Sequence, residues 1–546
     1  MRPVEFDAIV VGAGFAGIYM LQRLRALGLK TKVIEAGTGP GGTWYWNRYP
    51  GLRCDVESMT YSYSFSDEIQ LEWQWSERYA AQAEILRYID YVVDRLDMRR
   101  DMQFETRVTG AVFDEAAKRW RIETDCGELY AAKYCVMATG CLSIPDPPKF
   151  KGLERFRGAW YHTASWPQKG VDFTDLRVGV IGTGSSGVQS IPIIAEQAAH
   201  LTVFQRTANY SIPAWNKPLD DTAIKKWRAV YPTLRKKARA SPVGDVFDSP
   251  DQGTFDVPLD ERNRRLEEGW RRGSFAFLTV FNDMLTSRAA SQFAGEFVNQ
   301  KIRAVVKDPK VADLLCPKNL PIGTKRLCVD TNYYETFNRA NVSLVDIKAK
   351  PIEEITAEGL IAGGVAYKLD ALVFATGYDA MTGALFKINP RGRGGIALKN
   401  KWVDGPRTYL GLAVSGFPNL FTVTGPGSPS VISNMMTSIE QHIEWIADCI
   451  LYLETNALGQ IEPTIEAEDK WTAHVNEVAD GTLFMTADTW YVGANIPGKP
   501  RVCFPYLGGV GAYRLICDDV AAKGYEGFVL SGARDEPTAR MATATP

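Results

Sequence analysis

Two glycine-rich turns with the same spacing lie 170 residues apart in this chain of 546 residues. Glycines spaced in this way let a pyrophosphate approach the backbone where a helix begins, and the unpaired N–H groups of the first helical turn favour its charge. The turns therefore predict two dinucleotide sites. The residues expected at them are Gly12, Gly14 and Gly17 in the first turn and Gly182, Thr183, Gly184, Ser185 and Ser186 in the second.

The charge that follows each turn differs. Glu35 stands 23 residues after Gly12, whereas Arg206 stands 24 residues after Gly182. An acid at this position suits a ribose 2′-hydroxyl, and an arginine suits a 2′-phosphate. The first site is expected to bind FAD, by analogy from its N-terminal position, and the second to bind NADPH/NADP⁺. Thr207 and Lys325 are further candidates for the second site, although a solvated surface cation is the alternative for Arg206 and for Lys325.

Each turn joins a predicted strand to a predicted helix, and a second strand follows. The predicted strands are residues 7–11 and 32–35 around the first turn and residues 177–181 and 201–205 around the second. Two more apolar runs end in small-residue turns at Gly140 and Gly377, where another segment or a cofactor can approach closely. This pattern predicts an α/β fold with two Rossmann-like dinucleotide-binding domains, and a helical insertion in the second.

The order of these segments predicts the domain boundaries. The FAD-binding domain is discontinuous, with residues 1–141 and 378–546, and the NADP-binding domain consists of residues 142–215 and 324–377. Residues 216–323 are charged with helical periodicity and are expected to be an insertion with a solvated face. Residues 531–546 are expected to be a flexible tail.

Composition excludes several classes of protein. A net charge of −2 argues against nucleic-acid binding, and no apolar run approaches the length of a membrane span. Four histidines without ligand spacing argue against a metal site. Nine cysteines without a C-x-x-C pair, and no secretory leader, favour a reduced cytoplasmic protein, expected as a monomer or weak homo-oligomer.

Two longer signatures carry a family resemblance. The stretch 156–167 matches F-x-G-x-x-x-H-x-x-x-W-P through Phe156, Gly158, His162, Trp166 and Pro167. The stretch Gly41-Gly42-Thr43-Trp44 is followed by Tyr49-Pro50-Gly51 and then by Asp55. Both resemble the flavin-dependent Baeyer–Villiger monooxygenases, and the chain is most similar to the phenylacetone and steroid enzymes. N-hydroxylating and S-oxidising relatives resemble it too, but typically carry another residue where Trp166 stands.

The resemblance implies a reaction. FAD and NADPH would be the cofactors, and a ketone and molecular oxygen the substrates. The ketone would become an ester or lactone through a C4a-peroxyflavin and a tetrahedral intermediate, with sulfide oxidation as a side activity. The resemblance also assigns Arg326 as the catalytic arginine and Asp55 as its paired acid. A guanidinium suits this role because it stays charged and can stabilise an oxyanion.

The resemblance assigns further site residues. Besides the first glycine turn and Glu35, Thr43, Trp44 and Asp55 are expected near FAD. Arg326 and Trp490 join the NADP set, Trp490 because it resembles a tryptophan on the family's mobile loop over the nicotinamide. Ser430, Val431 and Ile432 are expected to line the ketone pocket. The residues of the 156–167 stretch are expected at the domain junction.

Some alternatives stay open on the sequence. His162 is either a general acid or base, or a hydrogen-bonded hinge residue, and its expected place at a domain junction favours the hinge. The two neighbouring tryptophans, Trp160 and Trp166, are expected to be packing residues. The rival functions are an N- or S-oxygenating flavin monooxygenase and a redox sensor that only binds FAD and NADP. A disulfide-type reductase is disfavoured because the chain lacks the cysteine pair.

Overall fold

The computed structural model describes residues 3–248 and 250–533. The strands are β1 (Val4–Val11), β2 (Thr31–Ile34), β3 (Met102–Gln103), β4 (Val108–Asp114), β5 (Arg119–Thr124), β6 (Leu129–Met137), β7 (Ala159–His162), β8 (Arg177–Ile181), β9 (His200–Gln205), β10 (Ser211–Pro213), β11 (Cys328–Asp330), β12 (Val342–Asp346), β13 (Ile352–Thr356), β14 (Gly359–Ala362), β15 (Val365–Lys368), β16 (Ala371–Phe374), β17 (Leu420–Thr422), β18 (Leu458–Pro463) and β19 (Phe528–Ala533).

The α-helices are α1 (Phe15–Ala26), α2 (Thr43–Trp46), α3 (Asp67–Glu72), α4 (Gln82–Arg95), α5 (Ser185–Gln197), α6 (Asp221–Ala240), α7 (Leu259–Arg272), α8 (Arg288–Val305), α9 (Pro309–Leu315), α10 (Tyr333–Thr336), α11 (Gly383–Ile388), α12 (Leu398–Lys401), α13 (Met435–Thr455), α14 (Ile465–Asp480) and α15 (Val510–Ala522). Short 3₁₀ helices span Arg99–Asp101, Leu153–Arg155, Thr163–Ser165, Thr254–Asp256, Ser274–Thr279, Arg393–Gly395, Phe484–Thr486 and Trp490–Val492.

The first sheet has seven strands in the order β3-β2-β1-β6-β5-β4, and β17 pairs with β6. Strands β1, β2, β3, β6 and β17 run parallel, whereas β4 and β5 form an antiparallel extension. Helix α1 packs between this sheet and α13, and both faces of the sheet are apolar. Because β17 comes from residue 420 onward, the C-terminal part of the chain returns to the sheet with which the chain begins.

The second sheet has five strands, all parallel, in the order β12-β9-β8-β16-β7. Its strands fall within the ranges predicted for the NADP domain, and helices α6 to α9 fall within the predicted insertion 216–323. The short pair β10-β11 joins the two ends of that insertion. The chain therefore leaves the second sheet, forms the helices and returns beside its point of departure.

Two expectations about local structure are wrong in part. Residues 531–533, expected to begin a flexible tail, belong to β19 and pair with β18; the rest of the predicted tail lies outside the described residues. Trp160, expected to be a packing residue, is 46% exposed, because β7 is an edge strand and directs this side chain outward.

Within the described ranges, no helix is long and apolar enough to cross a bilayer. The same residues contain no cluster of three His, Cys, Asp or Glu side chains that could bind a metal ion.

Candidate active site

The first glycine turn links β1 to α1 through contacts that only glycine permits. Gly12 has a φ of +105°, and a Cβ there would lie 2.7 Å from the carbonyl oxygen of Ala138. A Cβ on Gly17 would lie 1.8 Å from the carbonyl oxygen of Gly12. Gly14 is the N-cap of α1 and caps it with no side chain. The first N–H groups of α1 therefore point into the space above the turn, where an anion would be stabilised.

Glu35 follows β2 at the same edge of the sheet and is only 5% exposed. One carboxylate oxygen accepts a hydrogen bond from the N–H of Ala13 at 2.8 Å, and the other accepts from Gly37 at 2.8 Å. Each oxygen keeps a free lone pair for a further donor. The acid predicted to bind a ribose hydroxyl is thus fixed beside the turn.

The Gly41–Trp44 segment packs directly on the first turn. The N–H of Gly41 donates to the carbonyl of Ala13 at 2.9 Å, and a Cβ on Gly42 would lie 2.9 Å from the Cα of Gly14. Helix α2, which contains Thr43 and Trp44, therefore starts against the turn. The structure brings these two predicted residues to the first site.

The second turn repeats this construction between β8 and α5. Gly182 has a φ of +111°, and a Cβ there would lie 2.5 Å from the carbonyl oxygen of Ala375. A Cβ on Gly187 would lie 2.2 Å from the carbonyl oxygen of Gly182. In contrast, a Cβ on Gly184, the N-cap of α5, would meet no atom within 4 Å. The space above this turn is open.

Two cations lie together near the second turn. Arg206 and Thr207 follow β9 and are exposed, and the hydroxyl of Thr183 donates to the carbonyl of Thr207 at 3.3 Å. Burial lowers the pKa of Lys325, and the positive charge of Arg206 lowers it further. Lys325 is half-buried and close enough to the exposed Arg206 for their charges to repel each other, and a bound anion would relieve this repulsion. Both residues predicted for the 2′-phosphate are therefore in one place.

Arg326 and Asp55, which are 271 residues apart in sequence, form a bidentate ion pair. The guanidinium Nε and Nη2 atoms donate to the two carboxylate oxygens at 2.8 and 2.9 Å. The Arg326 side chain is 21% exposed and that of Asp55 is 19% exposed. Burial opposes the charged guanidinium, but the Asp55 carboxylate outweighs it and raises the pKa of Arg326. Arg326 is therefore charged and held in one orientation at every working pH.

The remaining contacts of Arg326 come from residues that sequence reasoning missed in this role. Its Nη1 donates to the carbonyl oxygen of Val431, and its guanidinium lies 5.0 Å from the ring centre of Phe275. The hydroxyl of Tyr491 also lies beside the guanidinium. Phe275 belongs to the insertion and carried no signal in sequence, whereas Tyr491 stands next to the predicted Trp490.

Of the predicted ketone-pocket residues, Val431 contacts this guanidinium directly, through its carbonyl oxygen. Ser430 and Val431 are buried and Ile432 is partly buried. Val431 has a φ of +59°, which is strained for a β-branched residue, and such strain often marks a functional site. An apolar cluster joins Val431 and Ile432 to the residues around them, namely Cys141, Leu142, Leu285, Ala380, Met381, Met435, Phe484, Trp490, Tyr491, Val502, Phe504 and Leu507.

The segments after Gly140 and Gly377 supply part of this cluster. The N–H of Met381 donates to the carbonyl of Cys141 at 2.7 Å, so the two segments lie side by side within this cluster. Sequence reasoning noted the two glycines but not the residues that follow them. The apolar wall thus arises at the join of the two sheets.

The 156–167 stretch builds the edge of the second sheet rather than a free linker. Residues 159–162 form β7, which pairs in parallel with β16. A Cβ on Gly158 would lie 2.3 Å from the carbonyl oxygen of Asp370, and Phe156 packs in the apolar layer on that side. Trp166 is buried against Tyr161 and Phe173, with Pro167 directly after it.

His162 is buried and makes two hydrogen bonds. Its Nδ1 accepts from the N–H of Ala164 at 3.1 Å, so its Nε2 carries the proton and donates to the hydroxyl of Thr376 at 3.0 Å. Burial lowers the pKa of this imidazole. A neutral, fully bonded histidine at this place agrees with the structural interpretation, and its role as a hinge stays a prediction.

The described cysteines carry no redox pair. All nine are free, and all except Cys126 are buried. Burial raises the pKa of the Cys141 thiol, the cysteine at the apolar pocket, to about 11. Cys141 is therefore a neutral packing residue at physiological pH.

Both turns fit dinucleotides on their own geometry. Each has an uncapped helix N-terminus and glycines whose replacement would fill or distort the cradle. The first is flanked by a buried acid and the second by two cations. The site residues accordingly fit FAD at the first turn and NADP(H) at the second.

Comparison with known proteins agrees with this geometry. Residues 9–231 match the family described as pyridine nucleotide-disulphide oxidoreductase. This range covers both glycine turns, so the match reflects the nucleotide-binding scaffold.

Full-length relatives are more specific. The chain is 44% identical over 96% of its length to a Baeyer–Villiger monooxygenase from Pseudooceanicola batsensis, of which it covers 96%. It is 43% identical to a phenazine N-monooxygenase from Lysobacter antibioticus, with 96% of this chain and 97% of that protein covered. A solved structure of oxidized steroid monooxygenase bound to NADP is 51% identical, with a TM-score of 0.93 over 96% of this chain and 99% of that one. The chain belongs to the family of the Baeyer–Villiger monooxygenases.

Proposed function

We propose that this protein is an FAD-containing, NADPH- and O₂-dependent Baeyer–Villiger monooxygenase, which converts ketones to esters or lactones. The observation that carries the proposal is the bidentate Asp55–Arg326 pair, whose guanidinium also donates to the carbonyl of Val431, a member of the apolar cluster. The flavin, reduced by NADPH, supplies activated oxygen when it is bound. One oxygen atom of O₂ enters the ester or lactone, and the other leaves as water.

We assign the first sheet with residues 1–141 and 378–546 to FAD, and residues 142–215 and 324–377 to NADP(H). Gly12, Gly14, Gly17, Glu35, Thr43 and Trp44 would hold the first cofactor. Gly182, Thr183, Gly184, Ser185, Ser186, Arg206, Thr207 and Lys325 would hold the second. The position of these residues at the two cradles supports the assignment.

Arg326 has the central role in this mechanism. When oxygen adds to a ketone carbon, negative charge develops on the former carbonyl oxygen. A guanidinium fixed beforehand by Asp55 stabilises that charge without reorganising. A third nitrogen of the same guanidinium donates to the carbonyl of Val431, which fixes its orientation further. The apolar cluster around Val431 and Trp490 keeps water away from the reacting atoms and makes each electrostatic contact stronger.

The experiment is to compare Arg326→Ala with the wild type in NADPH-reduced, ketone-dependent turnover. One oxyanion contact is worth about 10²–10³ in rate, so ester formation should fall at least that far while NADPH still reduces the flavin. Arg393→Ala is a matched control, because Arg393 also pairs with an acid, Glu462, and lies 5.6 Å from the ring centre of Phe113. Ester formation that survives in Arg326→Ala would overturn the proposed role.

N-oxygenation is a second candidate function, which the phenazine N-monooxygenase relative favours. N-oxygenation creates no tetrahedral oxyanion and so does not require the Asp55–Arg326 pair. Product analysis with a ketone, a sulfide and an aromatic amine separates the possibilities, and sulfide oxidation is expected as a side activity. A protein that only sensed redox state would show no ketone-stimulated use of NADPH and oxygen.

We also propose that the protein acts in the cytoplasm as a monomer or weak homo-oligomer. The free, mostly buried thiols among the described residues support a reducing compartment. Size-exclusion chromatography with light scattering checks the oligomeric state, and fractionation of the cells that produce the protein checks its location.

A further inference from the structure

The side chain of Gln189 connects the second dinucleotide turn to the first domain. It lies on α5, five residues after Gly184. The hydroxyl of Tyr49 donates to its Oε1 at 3.0 Å, and its Nε2 donates to the carbonyl oxygen of Arg53 at 3.1 Å. Both polar ends of one amide are thus used by a segment that leads directly to Asp55.

The backbones also approach closely at this point. Gly51 has a φ of +80°, and a Cβ there would lie 2.2 Å from the carbonyl oxygen of Gln189 and 3.1 Å from Cγ1 of Ile193. Beside the contact lies a cavity of about 140 Å³, lined in part by Gly51, Arg53 and Gln189. The cavity leaves room for α5 to shift against this segment, and the two amide hydrogen bonds oppose such a shift.

Arg326 is also connected to the start of α5, through Asn209 and Cys328. The side chain of Asn209 donates from one nitrogen to the carbonyl of Arg326 at 2.8 Å and lies 3.1 Å from the sulfur of Cys328. That sulfur lies 3.7 Å from the hydroxyl of Ser185 at the start of α5. The contacts therefore form a closed circuit from the second turn, through Gln189 and the Tyr49–Asp55 stretch, to Arg326 and back.

We propose that Gln189 is a positioning residue that couples dinucleotide binding at the second turn to the placement of the Asp55–Arg326 pair. This proposal rests on the proposed function, which identifies the dinucleotide as NADP(H). Without the amide, α5 can shift against the segment that carries Asp55. A smaller fraction of the protein then has the arrangement that binds the dinucleotide, and the apparent affinity falls in proportion to that fraction.

The test measures NADP⁺ binding to the oxidised, FAD-loaded protein and, separately, turnover. In Gln189→Leu the Kd for NADP⁺ should rise about three- to tenfold, as for the loss of one or two net hydrogen bonds. Ester formation at saturating NADPH should fall about tenfold or more, because a small misplacement of the reacting groups is costly. Tyr49→Phe, which leaves Gln189 in place, should change the NADP⁺ Kd in the same direction.

The control is Gln197→Leu, the same substitution on the same helix. Gln197 is exposed, and among the described residues its side chain accepts a hydrogen bond only from the N–H of Phe173, within the second domain. Both readouts should therefore stay within about twofold of wild type. A Gln189→Leu protein that binds NADP⁺ like the wild type, with or without a lower melting temperature, would overturn the proposal. A wild type that binds NADP⁺ but oxidises no ketone would overturn the proposed function instead, and the NADP⁺ affinities would still decide the role of Gln189.

Discussion

The two glycine turns share their spacing but not their surroundings. The first is enclosed: the Gly41–Gly42 backbone packs on it, and Glu35 beside it is buried and bonded to two backbone N–H groups. The second is less crowded: a Cβ on Gly184 would meet no atom within 4 Å, and Arg206 beside it is exposed.

This difference suits two kinds of occupant. An enclosed cradle with a buried acid suits a cofactor that stays bound through many turnovers. An open cradle with cations near solvent suits a donor that must enter, deliver electrons and be replaced. The same sequence pattern thus builds two sites whose exchange properties are determined by what packs around each turn.

The sharpest way to test the comparison is to make the same steric clash in each turn. A Cβ on Gly17 would lie 1.8 Å from the carbonyl of Gly12, and a Cβ on Gly187 would lie 2.2 Å from the carbonyl of Gly182. Gly17→Ala should yield protein without FAD, visible as loss of flavin absorbance after purification. Gly187→Ala should keep FAD but raise the KM for NADPH by about 5- to 150-fold, as expected when about 1–3 kcal/mol of strain is introduced. Equal FAD loss in both variants would break the comparison.

A smaller effect is expected from the exposed cation of the second site. Arg206→Ala should lower the preference for NADPH over NADH by about 10–100-fold, the value of a charged hydrogen bond of about 1.5–3 kcal/mol. The measurement is kcat/KM for both donors, and the NADH value serves as the internal control because NADH lacks the 2′-phosphate. An unchanged ratio would remove Arg206 from the site.

Most of the scaffold was predictable from sequence because it depends on local patterns. The strand predicted at residues 177–181 is observed at Arg177–Ile181. The strand predicted at residues 32–35 is observed one residue earlier, at Thr31–Ile34, so Glu35 directly follows it. The contacts of Arg326 with Phe275 and with the strained Val431 were not predictable. They join segments far apart in sequence, and no periodicity or spacing in the sequence indicates such contacts.

A pH titration tests the contribution of Lys325, the second cation of this site, and a smaller effect is expected. Burial lowers the pKa of Lys325, so its ammonium loses its proton at a lower pH than that of a surface lysine. NADP⁺ affinity should therefore weaken as pH rises into the alkaline range, by about fivefold for a contact of about 1 kcal/mol. NAD⁺ should show no such loss, and Lys325→Arg should remove it because arginine stays charged. A parallel alkaline loss for NAD⁺ would contradict this assignment.

The smallest effect is expected at the edge of the second sheet, where His162 bonds to Ala164 and Thr376. Burial lowers the pKa of this imidazole, so it stays neutral in the folded protein while the unfolded chain takes up a proton near the ordinary histidine pKa. Stability should therefore fall as pH drops below about 6.5, the ordinary pKa of histidine, and His162→Asn should reduce part of that slope. Burial also lowers the pKa of His442, to about 3, and this contribution cancels in the difference between the two proteins.

Urea unfolding across pH measures the slope, and the pH profile of kcat should be the same in both proteins. If His162 instead acted as a general acid or base, the variant would lose one limb of that profile, and the histidine would have a role in the chemistry rather than in the scaffold.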